Sequence, residues 1–180
     1  MDKETILSNV FTNINFWLKY AEKKNTYIFS FFSLMIIFTP FIGQLESINT
    51  LIRVSISAFY FLYVAAMIIT LKSVFPKTKI TKNAVIEDKN KKLKDTDNLL
   101  FYGDIAKYNR EEYINKMKKD YVIDIGNSVL QVQLIDQIIV NSIITQKKMC
   151  CFKISSIITI IALVEFAICF GINLWLSRGA

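Results

Sequence analysis

The chain has 180 residues, of which 53% are hydrophobic, and its 22 basic and 15 acidic side chains give a formal net charge of +7. This apolar share is higher than that of an ordinary soluble domain, where about 45–50% is usual. The sequence contains no histidine. The commonest general base and metal ligand is therefore missing, which argues against an enzyme and against a bound metal or cofactor.

Two uncharged segments near the N-terminus predict a membrane hairpin. Residues 25–45 and 54–71 carry no formal charge, and each is close to the ~20 residues that a helix needs to cross ~30 Å of hydrocarbon. The first is longer than the apolar core of a secretory signal, ~7–15 residues, and shows no cleavage site. The short turn at 46–53 returns the chain, so residues 1–76 are predicted to form an N-terminal transmembrane hairpin.

A lysine-rich segment follows, and we interpret residues 77–98 as a basic cytoplasmic linker near anionic lipid headgroups. Nucleic acid is not the expected partner, because no aromatic side chains are interleaved with the lysines. Leu99–Tyr108 then predicts a short helix or turn. Asn109 followed by Glu112 has the form of a capping box, which predicts that a second helix starts there.

An apolar residue at every fourth position predicts that this second helix is amphipathic. Gly126 is its one weak point, and nothing between Asn127 and Leu176 forces a helix to stop, since no proline follows Pro76. Fifty residues of helix would extend ~75 Å, so the short turn between the first two spans cannot cover the apolar face of its cytoplasmic part. We expect that apolar face to pack against Leu99–Ile125, another subunit, or both. The predicted buried face is Tyr113, Met117, Tyr121 and Ile125.

The predicted fold is an all-α membrane protein with a two-helix hairpin, a cytoplasmic helical sensor and coupling region at 99–153, and a third transmembrane helix within 154–180 that continues the long cytoplasmic helix. Basic residues cluster at the expected cytoplasmic membrane ends. The positive-inside rule therefore places the N-terminus and residues 72–153 in the cytoplasm.

Polar side chains interrupt the apolar segment that leads into the third span. Gln137, Asn141 and Lys148 are spaced to share a helix face, and we group Ser142 with them as a coupling or oligomer face. Amides on an apolar seam can hydrogen-bond across helices and fix their register. The equally weighted reading is a face simply wetted by cytosol.

Glu165 lies midway along the third span, where an ionisable group is costly and usually faces protein or water. It could line a pore in an oligomer or contact a partner, which we favour, or it could be protonated and hydrogen-bonded between helices. Cys150 and Cys151 at the membrane border could be acylated, although the reading we favour is that they are small packing residues. Cys150, Cys151 and Cys169 lack C-x-x-C spacing, so they indicate neither zinc nor disulfides.

Three segments together resemble the membrane-spanning effector domain of Pycsar antiphage systems, the PycTM-like family. They are "NFWLKYAEKKN" at 15–25, "FYGDIAKYNREEYI" at 101–114 and "QIIVNSIITQKK" at 137–148, with Pro76 after the second span. The residues that match the family pattern, none with a catalytic role, are Trp17, Glu22, Lys24, Asn25, Phe101, Tyr102 and Gly103, together with Gln137, Asn141, Ser142 and Lys148.

The resemblance implies an effector in the bacterial inner membrane, partnered with a nucleotide cyclase that makes cyclic CMP or cyclic UMP on phage infection. That the effector is a homo-oligomer is expected separately, from the length of the last helix and the apolar stripe it must bury. Such an effector impairs the membrane, and the infected cell stops growing or dies. Related membrane effectors accompany cyclic-oligonucleotide systems, so the messenger is less certain than the role.

The sequence offers no separate cyclic-nucleotide-binding module and no Gly-rich phosphate loop. Sensing would then use the Leu99–Lys148 helices, a subunit interface, or another protein. Tyr102, Lys107, Tyr108 and Arg110 combine rings for stacking with cations for phosphate, although packing and solvent exposure explain them more simply. The alternative function is a membrane-anchored helical scaffold that holds a partner protein.

Overall fold

The computed structural model describes residues 3–43, 50–75 and 93–178, with the side chains of 35–43, 51, 173, 174 and 176–178 left aside. Within these ranges the chain is helical and contains no strand, which confirms the predicted all-α class. The helices are α1 (Lys3–Gly43), α2 (Thr50–Val74), α3 (Tyr102–Ile105), α4 (Arg110–Tyr121) and α5 (Val129–Arg178). Most of the predicted basic linker and the first half of the predicted turn at 46–53 lie outside the described residues, and the second half of that turn belongs to α2.

Two of the helices are long and apolar enough to cross a membrane. These stretches are Ile52–Val74, with a mean hydropathy of 2.1, and Val129–Ile172, with a mean hydropathy of 2.2. They overlap the second and third predicted spans. The first predicted span begins inside α1 and continues past the described residues, so the count of three spans stays a prediction.

Helix α4 begins as the sequence indicates. The Asn109 side chain accepts a hydrogen bond from the backbone N–H of Glu112 at 2.9 Å, and the Glu112 carboxylate accepts one from the backbone N–H of Asn109, also at 2.9 Å. Both halves of the predicted capping box are therefore present.

The end of α4 differs from the prediction. The helix stops at Tyr121 because Val122 takes the left-handed conformation, with φ +57°, and donates its backbone N–H to the carbonyl of Met117. Tyr113 and Met117 are buried as expected, but Tyr121 is 41% exposed, so its assignment to the buried face is wrong. Ile125 is buried, yet it reaches the core from the loop and not from the helix.

The predicted weak point at Gly126 is part of a longer break. Gly126 has φ +91°, a conformation that other residues rarely adopt, so the position favours glycine; a Cβ there would also lie 2.8 Å from the Cδ1 of Ile114, which would have to move. After this break, α5 runs for 50 residues without interruption. The long helix into the membrane segment is confirmed from Val129 onward, and α4 is a separate helix.

The described residues group into two compact units, each built from segments far apart in the chain. Unit 1 contains residues 3–23 and 93–149, and unit 2 contains residues 24–43, 50–75 and 150–178. The larger core belongs to unit 1, where α1 contributes Leu7, Val10 and Ile14, the segment with α3 and α4 contributes Leu99, Ile105, Tyr113 and Met117, and α5 contributes Ile135, Ile138, Ile139 and Ile143. Unit 2 has a small core of Phe32, Phe59, Tyr63, Ala66 and Ala162.

Candidate functional site

An aromatic contact in unit 1 joins two of the three segments that resemble the family. The Trp17 ring lies edge-on to Phe101, with centroids 6.2 Å apart, and 5.6 Å from the ring of Tyr102. Such pairs add ~0.5–1.5 kcal/mol beyond the area they bury. Gly103 permits this arrangement, because a Cβ there would lie 2.7 Å from the Phe101 ring.

Two polar contacts join the first segment to the third. The Asn141 side chain donates from Nδ2 to the Oδ1 of Asn15 at 2.8 Å, between α5 and α1. Further along the same two helices, the Lys148 ammonium lies 3.3 Å from the Glu22 carboxylate. We call Asn15, Trp17, Glu22, Phe101, Asn141 and Lys148 the coupling cluster, because these side chains bring the three segments together.

The four residues of the predicted coupling face have different environments in the structure. Asn141 and Lys148 face α1, whereas Gln137 is exposed. Ser142 is buried and donates to the carbonyl of Ile138, one turn back, at 2.7 Å. The wetted-face reading therefore fits Gln137, the cross-helix reading fits Asn141, and self-association through this face stays a prediction.

The four residues predicted as ligand contacts all lie in unit 1, but they do not line one open surface. Tyr102 and Tyr108 are buried in the core. The Lys107 ammonium lies between Asp104 and the buried carboxylate of Asp97, 2.7 Å from the latter. Arg110 makes a bidentate ion pair with Asp136 on α5: its Nε donates to Oδ1 at 2.6 Å, and its Nη2 donates to Oδ2.

Asp97 organises the loop that precedes α3. Its carboxylate accepts hydrogen bonds from Lys107, from the Tyr108 hydroxyl at 3.0 Å and from the backbone N–H of Lys94 at 3.0 Å. Burial alone would raise the pKa of Asp97, but these three donors lower it to about 2. Burial and the Asp97 hydrogen bond also raise the pKa of Tyr108.

Glu165, the predicted pore or partner residue, lies in unit 2. Its Oε1 accepts from the Ser55 hydroxyl at 2.8 Å, across from α5 to α2, and lies 3.7 Å from the Cys169 sulfur. Its Oε2 is buried and has no hydrogen-bond partner among the described residues. A buried polar atom without a hydrogen-bond partner is costly, so Glu165 is the residue of this segment whose environment most needs an explanation.

The other family-pattern residues of unit 2 are Lys24 and Asn25, both on α1. Asn25 is buried on α1, and the Lys24 ammonium lies 4.9 Å from the centre of the Phe152 ring.

The three cysteines are free thiols: Cys150 is exposed, and Cys151 and Cys169 are partly buried. The described residues contain no group of three or more Cys, Asp or Glu side chains that could hold a metal ion.

Several functional contacts were not predicted from the sequence. Asn15 begins the first of the three resembling segments but is not among the residues that match the family pattern, and Ser55 is one of several small polar residues in an apolar helix; they are the partners of Asn141 and Glu165. Asp97 lies in a segment rich in lysine and aspartate, so nothing in the sequence distinguishes this buried aspartate from the exposed ones beside it. Asn15 and Ser55 are identified by contacts with residues more than a hundred positions away, and Asp97 by its burial and its hydrogen bonds within the same loop and the start of the next segment.

Taken together, the described residues define an all-helical protein with two compact units and two helices that are long and apolar enough to cross a membrane. The Pycsar effector protein domain (PycTM) matches residues 6–177, nearly the whole chain, and the chain belongs to that family. Membership confirms the resemblance and implies an effector of Pycsar antiphage defence. The chain matches no curated protein and no solved structure.

Proposed function

We propose that this protein is an antiphage effector of the bacterial inner membrane that a cyclic nucleotide, cyclic CMP or cyclic UMP from a partner cyclase, switches on. In the active form it oligomerises or rearranges, impairs membrane integrity, and causes abortive infection. The observation that carries the proposal is the family match, which spans both unit 1 and unit 2. We propose no catalytic step and no cofactor beyond the activating ligand.

The apolar surface of unit 2 supports a membrane location. Large hydrophobic side chains on α2 and α5 are exposed in the single chain, where an aqueous domain would bury them. In the proposed topology three helices cross the bilayer, and the N-terminus and unit 1 lie in the cytoplasm. The exposed residues include Phe61, Val64 and Ile68 on α2, and Ile157, Ile160, Ile161, Val164 and Ile168 on α5.

Unit 1 is the proposed sensor, and the coupling cluster links it to the membrane helices. Residues of α1 and α5 belong to both units, and the Asn15–Asn141 and Glu22–Lys148 contacts join these same two helices within unit 1. A ligand can shift the protein to its active form only if it binds that form more tightly. A changed packing of α1 against α5 is the simplest two-state element that could carry the signal.

Glu165 is the proposed point of action in the membrane. Its unpartnered Oε2 would contact water in a pore or a polar group on a second subunit once the helices rearrange. A scaffold that merely anchors a partner protein has no need for a carboxyl group at this depth. The Glu165 carboxyl therefore separates the proposed function from the alternative.

The test is membrane depolarisation and dye entry in bacteria that carry the protein and its cyclase, measured after phage infection. We expect depolarisation with the wild type, and a loss of at least about tenfold in the depolarised fraction with Glu165→Leu, since leucine cannot hold water or a polar partner. Glu165→Gln keeps the shape and the Ser55 contact and should fall between the two. Cys150→Ser is the matched control, because Cys150 is an exposed residue of the same helix.

Unchanged membrane potential in infected cells that contain the cyclic nucleotide would contradict the proposal. Depolarisation that is identical in the wild type and in Glu165→Leu would retain the effector but remove Glu165 from its action. A scaffold would leave the potential unchanged in all variants and would lose a partner when unit 1 is disrupted.

A further inference from the structure

A groove in unit 1 lies outside the coupling cluster, between the start of the described loop and one face of α4. Its volume is about 360 Å³, within the ~300–1,000 Å³ that small-ligand pockets usually have. The lining combines three lysines with one buried tyrosine and one amide. It consists of Leu93, Lys94, Asp95, Tyr108, Glu112, Asn115, Lys116 and Lys119.

One exposed carboxylate is held between two of these lysines. The Oδ1 of Asp95 lies 3.4 Å from the Lys116 ammonium and 3.3 Å from that of Lys119, and Lys116 also donates to the backbone carbonyl of Asp95 at 3.1 Å. Asp95 itself is 89% exposed. Both ion pairs are long, and the pair with Lys119 lies on the surface, where such pairs contribute little to stability, so another anion can take the place of the carboxylate at low cost.

The charge of the groove favours an anion once Asp95 moves away. Lys116 is only 10% exposed and keeps a second contact, to Asp120 at 2.9 Å, which fixes its ammonium at the groove. The Glu112 carboxylate also lines the groove and accepts the hydrogen bond of the α4 capping box, so without Asp95 the lining has three lysines and one carboxylate. Hydrogen bonds from Lys119 and Lys116 also hold the pKa of Asp95 below its ordinary value, in keeping with the two ammonium groups 3.3 and 3.4 Å away.

We propose that this groove binds a small organic phosphate with one negative charge, whose phosphate replaces the Asp95 carboxylate between Lys116 and Lys119. The remaining surface suits a polar ring, since Asn115 offers both a donor and an acceptor and Leu93 offers an apolar wall. A phosphodiester carries a single charge, as the displaced carboxylate does. The proposal rests on the proposed function in that such a ligand would be the activating signal.

The loop offers a direct route for the signal. Asp95 lies two residues before Asp97, whose carboxylate holds Lys107, Tyr108 and the backbone of Lys94. Displacement of Asp95 therefore shifts the backbone next to Asp97 and alters the hydrogen bonds that position the loop before α3. That loop leads to Phe101, a member of the coupling cluster.

The experiment is isothermal titration of the full-length protein in lipid nanodiscs with cyclic CMP, cyclic UMP and, as a phosphate-free probe, cytidine. Lys119→Gln should weaken binding of the cyclic nucleotide about tenfold, and Asp95→Asn should strengthen it about threefold because a competing anion is removed. Lys118→Gln is the matched control, since Lys118 is a neighbouring exposed lysine of α4 that pairs with Asp124 and does not line the groove. Thermal unfolding of each variant establishes that the fold is intact.

Cyclic nucleotide binding that Lys119→Gln and Asp95→Asn leave unchanged would overturn the inference and leave the proposed function standing, because the messenger would bind elsewhere. Equal binding of cytidine would also overturn it, since the phosphate would then contribute nothing. If neither cyclic nucleotide binds the wild type, the groove inference falls, and the depolarisation test in infected cells decides the proposed function by itself.

Discussion

The two compact units differ in where their polar and apolar side chains lie. In unit 1 the apolar side chains of three segments close a core, and the buried carboxylate of Asp97 is engaged by three donors. In unit 2 the core is small, large apolar side chains face outward, and one oxygen of Glu165 is buried without a partner among the described residues. The first pattern suits water as the solvent, and the second suits lipid.

The difference implies that the units gain stability from different sources. Apolar burial drives folding in water, but lipid tails are as apolar as leucine, so helices in a bilayer associate through close packing and hydrogen bonds. We therefore expect unit 1 to respond strongly to the loss of a core side chain, whereas unit 2 should respond mainly to changes of its few polar contacts. Ser55 with Glu165 is the clearest contact of that kind.

The largest expected effect is that of Met117→Ala in unit 1. Met117 is fully buried, and its truncation leaves a cavity, so we expect a loss of about 3 kcal/mol in the free energy of unfolding. The measurement is denaturant unfolding in nanodiscs, followed by hydrogen exchange of the core amides of unit 1. Ile161→Ala on the exposed surface of unit 2 is the comparison and should change stability by less than about 0.5 kcal/mol. Equal losses for the two variants would contradict the distinction between the units.

The next effect concerns the buried charge of Asp97. Asp97→Asn weakens three hydrogen bonds to a carboxylate and should cost about 2 kcal/mol. Because the pKa of Asp97 falls from 3.8 to about 2 on folding, its charge contributes its full stabilisation above the unfolded pKa and loses it as the pH falls through the folded pKa. The stability difference between the wild type and Asp97→Asn should therefore shrink as the pH is lowered from about 5 to about 2.

Asp124→Asn provides the control for this pH dependence. Asp124 is an exposed residue of unit 1 that pairs with Lys118 at 3.3 Å, and its replacement should leave stability nearly unchanged at neutral pH. A difference between the wild type and Asp97→Asn that stays constant down to the lowest pH would show that the carboxylate of Asp97 is not the source of its stabilisation.

Local signals predicted much of the fold. The capping box at Asn109 and Glu112 depends on two residues three apart, and the uninterrupted α5 depends on the absence of proline. The end of α4 was not predictable in the same way, because Val122 is a β-branched residue in the left-handed conformation, which such residues rarely adopt. Its side chain is 88% exposed, so the surrounding loop and not its own packing imposes this conformation.

The candidate site was only partly predictable. The sequence indicates that Asn141 and Lys148 lie on a helix with a functional face, but their partners Asn15 and Glu22 are more than a hundred positions away. No periodicity in a single segment can pair residues at such a separation. The fixed pairing of α1 with α5 by the core of unit 1 decides which polar residues meet.

The smallest expected effect tests the coupling cluster through the contact of Asn141 with Asn15. Asn141→Leu leaves the Asn15 amide without its donor and should cost about 1 kcal/mol of the stability of unit 1. The double variant Asn15→Leu with Asn141→Leu should recover most of this loss, because both polar partners are gone and leucines can pack between α1 and α5. Gln137→Leu, one turn earlier on α5 and exposed, should leave stability nearly unchanged.

If the double variant is as unstable as the sum of its single changes, Asn15 and Asn141 do not act as a pair, and the coupling cluster loses its link between the first and third segments. If the pair is confirmed but depolarisation after infection is normal in the double variant, the contact stabilises unit 1 without carrying the signal, and the rearrangement of α1 against α5 must run through Glu22 and Lys148 instead.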